Sequence, residues 1–147
     1  MRIFYIIISN LVLFSTILHS QKYEGDWLNG YKHGKGKIAF NNVSYYEGDI
    51  VNGKKHGFGV YVYDNGAKYI GEWEKNKKNG KGKYFFTNGD KYDGYWSNGK
   101  KNGSGILLYN DGDKYKGEWK NDKKNGIGVT ISKYRGEFEN EWLDGRL

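Results

Sequence analysis

Nine lysines recur at matching places along this chain: Lys32, Lys54, Lys55, Lys77, Lys78, Lys100, Lys101, Lys123 and Lys124. Apart from the first, which follows Tyr31, they come as adjacent pairs spaced by 23 residues. An ammonium row of this kind can engage anionic lipid headgroups, at roughly 1 kcal/mol for each basic residue held near the surface. The same row keeps a sheet soluble and discourages aggregation. The sequence favours the solubilising role and leaves the anionic surface as the functional alternative. The formal net charge of +7 agrees with either, since net charge speaks to partners and solubility rather than fold.

Other residue types capable of chemistry do not assemble into a set. His33 and His56 stand 23 residues apart. A metal shared between them would need a third ligand, and none repeats with them. Carboxylates recur as Asp26, Asp49, Glu72, Glu118 and Glu137. Their expected role is cross-strand ion pairing rather than calcium or glycosidase chemistry. Recurrent Gly-x-Gly pairs have no following helix to present its N-terminus to a phosphate. Cysteine is absent, so disulfides and thiolate chemistry are excluded. The expectation is a protein with no catalytic residues, no metal and no cofactor.

The elements that carry these residues follow from an internal repeat. Tyr23, Tyr46, Tyr69, Tyr92 and Tyr115 fall at intervals of 23, each followed two residues later by Gly25, Gly48, Gly71, Gly94 or Gly117. Four residues after each tyrosine stands Trp27, Ile50, Trp73, Trp96 or Trp119. Two more glycines follow in every unit, for example Gly80 and Gly82. Aromatics make up 18% of the chain, with 14 Tyr and 5 Trp, which argues against disorder. Each unit alternates like a strand, turns, and continues through stretches such as Val60-Tyr61-Val62-Tyr63, rich in β-branched and aromatic residues. Asp64-Asn65-Gly66, Thr87-Asn88-Gly89 and Asn110-Asp111-Gly112 read as turns between units. The predicted architecture is all-β: one elongated, twisted antiparallel sheet of tandem 23-residue hairpins, advancing about 9.6 Å per unit. A strict count starts the sixth unit at Phe138. The local match of Lys133-Tyr134-Arg135-Gly136 to Lys114-Tyr115-Lys116-Gly117 favours a partial unit from Tyr134 instead, with Trp142 to Gly145 as the expected cap.

A pairing register can be written down from the pattern. It sets Trp73 opposite Gly82, Gly71 opposite Tyr84 and Tyr69 opposite Phe86. The next turn sets Phe86 opposite Tyr92, Tyr84 opposite Gly94 and Gly82 opposite Trp96. Rings then lie beside glycines. On the other face Asp26 meets Lys37, Glu72 meets Lys83, Glu74 meets Lys81, Val51 meets Phe58, Ile70 meets Phe85, and Tyr95 meets Ile106, as cross-strand pairs should. A single sheet has no second layer, so part of its aromatic face is expected to stay accessible. The candidate aromatic binding face is Tyr23, Trp27, Tyr46, Tyr69, Trp73, Tyr92, Trp96, Tyr115 and Trp119.

The run Tyr23-Glu24-Gly25-Asp26-Trp27-Leu28-Asn29-Gly30-Tyr31-Lys32-His33-Gly34-Lys35-Gly36 resembles the MORN repeat (membrane occupation and recognition nexus). Later units depart in places: Asn79, Asn102 and Asn125 stand for the histidine, Ile50 for the tryptophan, and Asn76 and Asp122 for a turn glycine. The resemblance spans residues 23 to about 138. It implies an elongated sheet of hairpins, and roles in protein contact, scaffolding and, in some members, phospholipid association. It does not fix a function.

Residues 1–20 read as a segment apart from the array at 21–147. Arg2 precedes an apolar run from Ile3 to Leu18, and Ser20 ends it. This describes a secretory signal peptide, helical before cleavage, with Gln21 as the new N-terminus. The alternative, a membrane anchor over residues 3–18, is short of the roughly 20 residues a span needs. The expected protein is therefore secreted or placed in the cell envelope or periplasm. It binds a protein partner along its sheet, with an anionic phospholipid membrane as the alternative. Export argues against a nucleic-acid partner.

Overall fold

A computed structural model describes residues 21–147; the expected signal peptide or anchor lies outside the described residues. Eleven strands follow one another in chain order: β1 (Lys22–Leu28), β2 (Tyr31–Ala39), β3 (Tyr45–Val51), β4 (Lys54–Val62), β5 (Lys68–Glu74), β6 (Lys77–Phe85), β7 (Lys91–Ser97), β8 (Lys100–Leu108), β9 (Lys114–Lys120), β10 (Lys123–Ser132) and β11 (Gly136–Trp142). Their order in the sheet is the same, and every pair is antiparallel. The sheet is open and single, as the repeat predicts.

Each hairpin closes through two residues with positive φ, such as Asn52 (49°) and Gly53 (72°). This is the turn whose twist matches that of paired strands. Consecutive hairpin turns are tied together. The Gly53 amide donates to the Lys32 carbonyl at 2.9 Å, and Gly99 to Lys78 at 2.9 Å. Where the turn glycine is replaced, the new side chain adds a bond. Asn76 Oδ1 accepts the Lys55 amide and Asp122 Oδ1 the Lys101 amide, each at 2.8 Å. Two of the departures from the repeat pattern thus reinforce the stacking of units.

The predicted register is wrong by two residues. Gly71 faces Gly82 and Tyr69 faces Tyr84 within the hairpin. Across the next turn Tyr84 faces Tyr92, Gly82 faces Gly94, and Gly80 faces Trp96. The cause is a bulge. The tight turn sets Trp73 against Lys78, and Asn79, Gly80 and Lys81 then sit opposite Glu72 alone. Gly80 takes φ 70° there, a conformation that costs a residue with a Cβ roughly 1–2 kcal/mol. A slide of two keeps every side chain on its face, so the division into two faces holds while the pairs change. The six predicted cross-strand contacts are replaced. Lys37 faces Glu24 and Glu47, Lys83 faces Ile70 and Asp93, Lys54 faces Val51, Lys77 faces Glu74, Phe85 faces Lys68 and Lys91, and Ile106 faces Asp93 and Lys116.

The last unit follows the strict count, not the Tyr134 match. Thr130 faces Phe138, Gly128 faces Asn140, and Gly126 faces Trp142. These are the places held by Tyr115, Gly117 and Trp119 against β8. Asp144 and Gly145 both have positive φ, so the expected cap is the hairpin turn of a sixth unit.

Candidate functional site on the tyrosine face

Alternation places Tyr, Gly, Trp and the second lysine of each pair on one side of the sheet. The layer is built from the tyrosine outward. Tyr69 lies flat across Gly71 and Gly82. A Cβ on Gly82 would collide with its hydroxyl, which is why these two places need glycine. That hydroxyl donates to the Glu72 carbonyl at 2.9 Å, and Tyr46 donates to Asp49 at 2.7 Å. Trp73 packs edge-on against Tyr69, its own tyrosine (5.1 Å between centroids), and Tyr46 of the preceding unit (5.5 Å). Its Nε1 donates to the Gly59 carbonyl at 3.2 Å. Trp96 repeats both packing contacts, and donates to Gly82 at 3.0 Å.

The aromatic candidates are therefore mostly inside the layer. Tyr46, Tyr69, Tyr92 and Tyr115 are 0% exposed, and Trp73, Trp96 and Trp119 are 4–5% exposed. The expectation that these rings form an accessible strip is corrected: neighbouring units bury one another's rings without a second layer. Trp27 differs. With no unit before it among the described residues, it is 61% exposed, beside a partly buried Tyr23.

The accessible rings are ones the sequence reading did not single out. Phe40, Tyr61, Tyr63, Tyr84, Phe86 and Tyr109 are partly buried against the core. From Phe40 to Phe86 the first five form a continuous zigzag along the array, with centroid separations of 5.5, 4.4, 5.7 and 4.6 Å. The available signal was the alternation that continues past the second Gly-x-Gly glycine in the first four units.

The lysine row splits in two. Lys54, Lys77, Lys100 and Lys123 are exposed where their strands begin. Their neighbours turn onto the aromatic face. Lys55 Nζ lies 4.6 Å from the Trp73 ring centroid and 4.4 Å from Tyr61. Lys78 lies 3.8 Å from Trp96 and 4.6 Å from Tyr84. Lys101 lies 4.1 Å from Trp119, and Lys124 lies 4.2 Å from Trp142. Ring quadrupoles attract such cations by about 0.5–2 kcal/mol. Lys32 keeps one ring, Tyr23 at 5.1 Å, and donates to Gln21 Oε1; its place in the pattern faces Ile50 instead of a tryptophan.

Burial acidifies these lysines. Lys78 is pushed down to about 8 by burial, with Asp122 pulling it up and Lys101 down. Lys55, Lys101 and Lys124 are lowered too, again through burial first. Burial pushes Tyr46, Tyr69 and Tyr92 well above the usual phenol range, and Tyr63 up to about 12.

The opposite face has another character. Every carboxylate inside a strand alternates with the tyrosine-face residues and so points the other way. There Lys83 meets Asp93 at 2.9 Å and Lys35 meets Asp49 at 2.6 Å. The recurrent carboxylates do not pair with Lys37 and Lys83 as expected. Glu72 Oε1 accepts the Lys81 amide (3.0 Å) and Asp49 Oδ2 the Phe58 amide (2.8 Å), closing the bulge. The histidine pair contributes carbonyls, which accept from Tyr23 and Tyr46 at 3.3 Å. Among the described residues no three His, Asp or Glu side chains converge to hold a metal.

Five matches to the MORN repeat model cover residues 23–42, 46–68, 69–91, 92–114 and 115–133. No curated protein sequence matches the chain. Among solved structures the chain is similar to the SAS-4 (dCPAP) TCP domain of Drosophila melanogaster, in complex with a proline-rich motif of Ana2 (dSTIL). That similarity has 13% sequence identity and a TM-score of 0.44, over 82% of this chain and 72% of that one. Repeat, hairpin architecture and family match agree, and the chain belongs to the MORN-repeat family.

Proposed function

We propose that this chain is an exported, non-catalytic scaffold that holds a protein partner against its tyrosine face. The observation that supports this most is the charge of that face: lysines lie among accessible rings, while the strand carboxylates all point the other way. Apart from the lysines, several recurring side chains that could do chemistry are already engaged. The tyrosine hydroxyls, the indole N–H groups of Trp73 and Trp96, and the carboxylates of Asp49 and Glu72 all hold backbone atoms. A photo-crosslinking residue at Phe86 should trap a protein in the cells of origin, and one at Phe58 on the other face should not. Trapping from Phe58 alone would overturn the reading.

A second reading is favoured by one observation, the exposed edge row of Lys54, Lys77, Lys100 and Lys123. It would dock on anionic phospholipid at roughly 1 kcal/mol per lysine. Flotation with anionic liposomes at low and high salt tests it: salt-sensitive binding is expected, and no binding at low salt would sink it. Export rests on residues 1–20. N-terminal sequencing of the natural protein, after removal of any pyroglutamate formed by Gln21, should begin at residue 21 or 22; a Met1 start would contradict it.

A further inference from the structure

We propose that the tyrosine face holds an acidic segment in the polyproline II conformation, with one carboxylate at every third residue. This rests on the scaffold reading and names the chemistry of the partner. Charge is the first argument. Lys55, Lys78, Lys101 and Lys124 lie over rings, and the ion pairs among the described residues use Lys22, Lys35, Lys37 and Lys83 instead. Asp122 is close enough to influence Lys78 and Lys101, but it sits in a hairpin turn. Four partly desolvated ammonium groups facing one way call for anionic groups from outside.

Pitch is the second argument. Two strands advance the array by about 9.6 Å. A polyproline II helix has three residues per turn and rises about 9.3 Å in that turn, so every third side chain faces the same way. The mismatch is about 0.3 Å per unit, or about 1 Å across the four lysines, within the reach of a four-carbon stem. An extended β-strand cannot do this, because its third residue points to the opposite side. The accessible rings supply the third argument. Tyr61, Tyr63, Tyr84 and Phe86 run along the array beside the lysines, and aromatic grooves receive polyproline II segments because little ordering entropy is lost. A bilayer is flat and would meet the exposed edge lysines before these recessed ones.

The test is calorimetric titration of residues 21–147 with three peptides of about twelve residues: repeats of Glu-Pro-Pro, Glu-Pro and Lys-Pro-Pro. Glu-Pro-Pro should bind one per chain, at least tenfold tighter than either of the others, and weaken with salt. Lys78→Gln with Lys101→Gln should weaken it tenfold or more while the circular dichroism spectrum is kept. Lys124→Gln, near the end of the array, should give a smaller loss and serves if the double variant misfolds. Absent binding, equal affinity for Glu-Pro, or tighter binding of a single-stranded oligonucleotide or phosphatidylserine vesicles would overturn the proposal. If peptides fail while Phe86 still crosslinks to a protein, the partner's chemistry is wrong and the scaffold reading stands. If both fail, both fall.

Discussion

The two faces of this one sheet use the same strands in opposite ways. On one, tyrosine, glycine and tryptophan interlock until Tyr69 and Tyr92 are 0% exposed. On the other, Phe58, Tyr95, Ile106 and Ile127 stand largely in solvent among charged residues. Both faces belong to every unit, so the difference is a matter of contacts rather than position along the chain. It teaches that a single layer can contain a core when rings are covered by their neighbours' rings and the central hydroxyls and indoles, those of Tyr46, Tyr69, Tyr92, Tyr115, Trp73, Trp96 and Trp119, find backbone carbonyls. Stability should then reside on the tyrosine face, and the mixed-charge face should tolerate change.

The largest effect expected is alkaline unfolding. Buried tyrosines hold their protons in the folded state beyond the pH near 10 at which they ionise unfolded. Their contribution is full below pH 10 and is lost only as pH rises well above it; that of Tyr63 is lost as pH rises through about 12. Unfolding followed by circular dichroism should be complete by strongly alkaline pH; a flat profile would contradict the buried layer. Mixed-charge-face contributions run the other way. The Lys35 ammonium and the Phe58 amide hold the Asp49 carboxyl low despite partial burial, so stability above the ordinary aspartate range is lost as pH falls, to a small extent.

Substitutions sharpen the contrast. Trp96→Ala should cost about 3–5 kcal/mol in urea denaturation, whereas Trp27→Ala, at the uncovered end, should cost under about 1 kcal/mol. Gly82→Ala should cost about 2–4 kcal/mol, because the added Cβ strikes the Tyr69 ring and a packed layer has little room to give. Tyr69→Phe should cost about 1 kcal/mol, leaving the Glu72 carbonyl without its hydroxyl donor. Asp93→Asn, which breaks an exposed ion pair with Lys83, should cost under about 0.5 kcal/mol. Equal costs for Trp96→Ala and Ile106→Ala would break the comparison.

How far the sequence discloses this molecule depends on periodicity. Two-residue alternation and the 23-residue spacing reveal the hairpins, the unit boundaries and the division into faces. Register is hidden, because a slide of two residues leaves each face intact and the bulge at Asn79-Gly80-Lys81 has no signature apart from a glycine. The sixth unit is hidden for a related reason. Phe138, Asn140 and Trp142 keep the geometry of Tyr, Gly and Trp after most of the residue identities have changed, while Tyr134 keeps an identity without the geometry. In the candidate site, adjacent lysines such as Lys77 and Lys78 look equivalent in sequence. Only the start of β6 reveals that one faces solvent and the other Trp96.

Removing the lysine heads while keeping the rings separates binding from stability most directly. The Lys78→Gln, Lys101→Gln variant should melt within a few degrees of the parent, since lost attraction to the rings is offset by relief of buried charge. A crosslinker at Phe86 in that variant should no longer trap the partner that it traps in the parent. Undiminished trapping by a folded variant would contradict the assignment of the lysine-bearing tyrosine face as the binding surface.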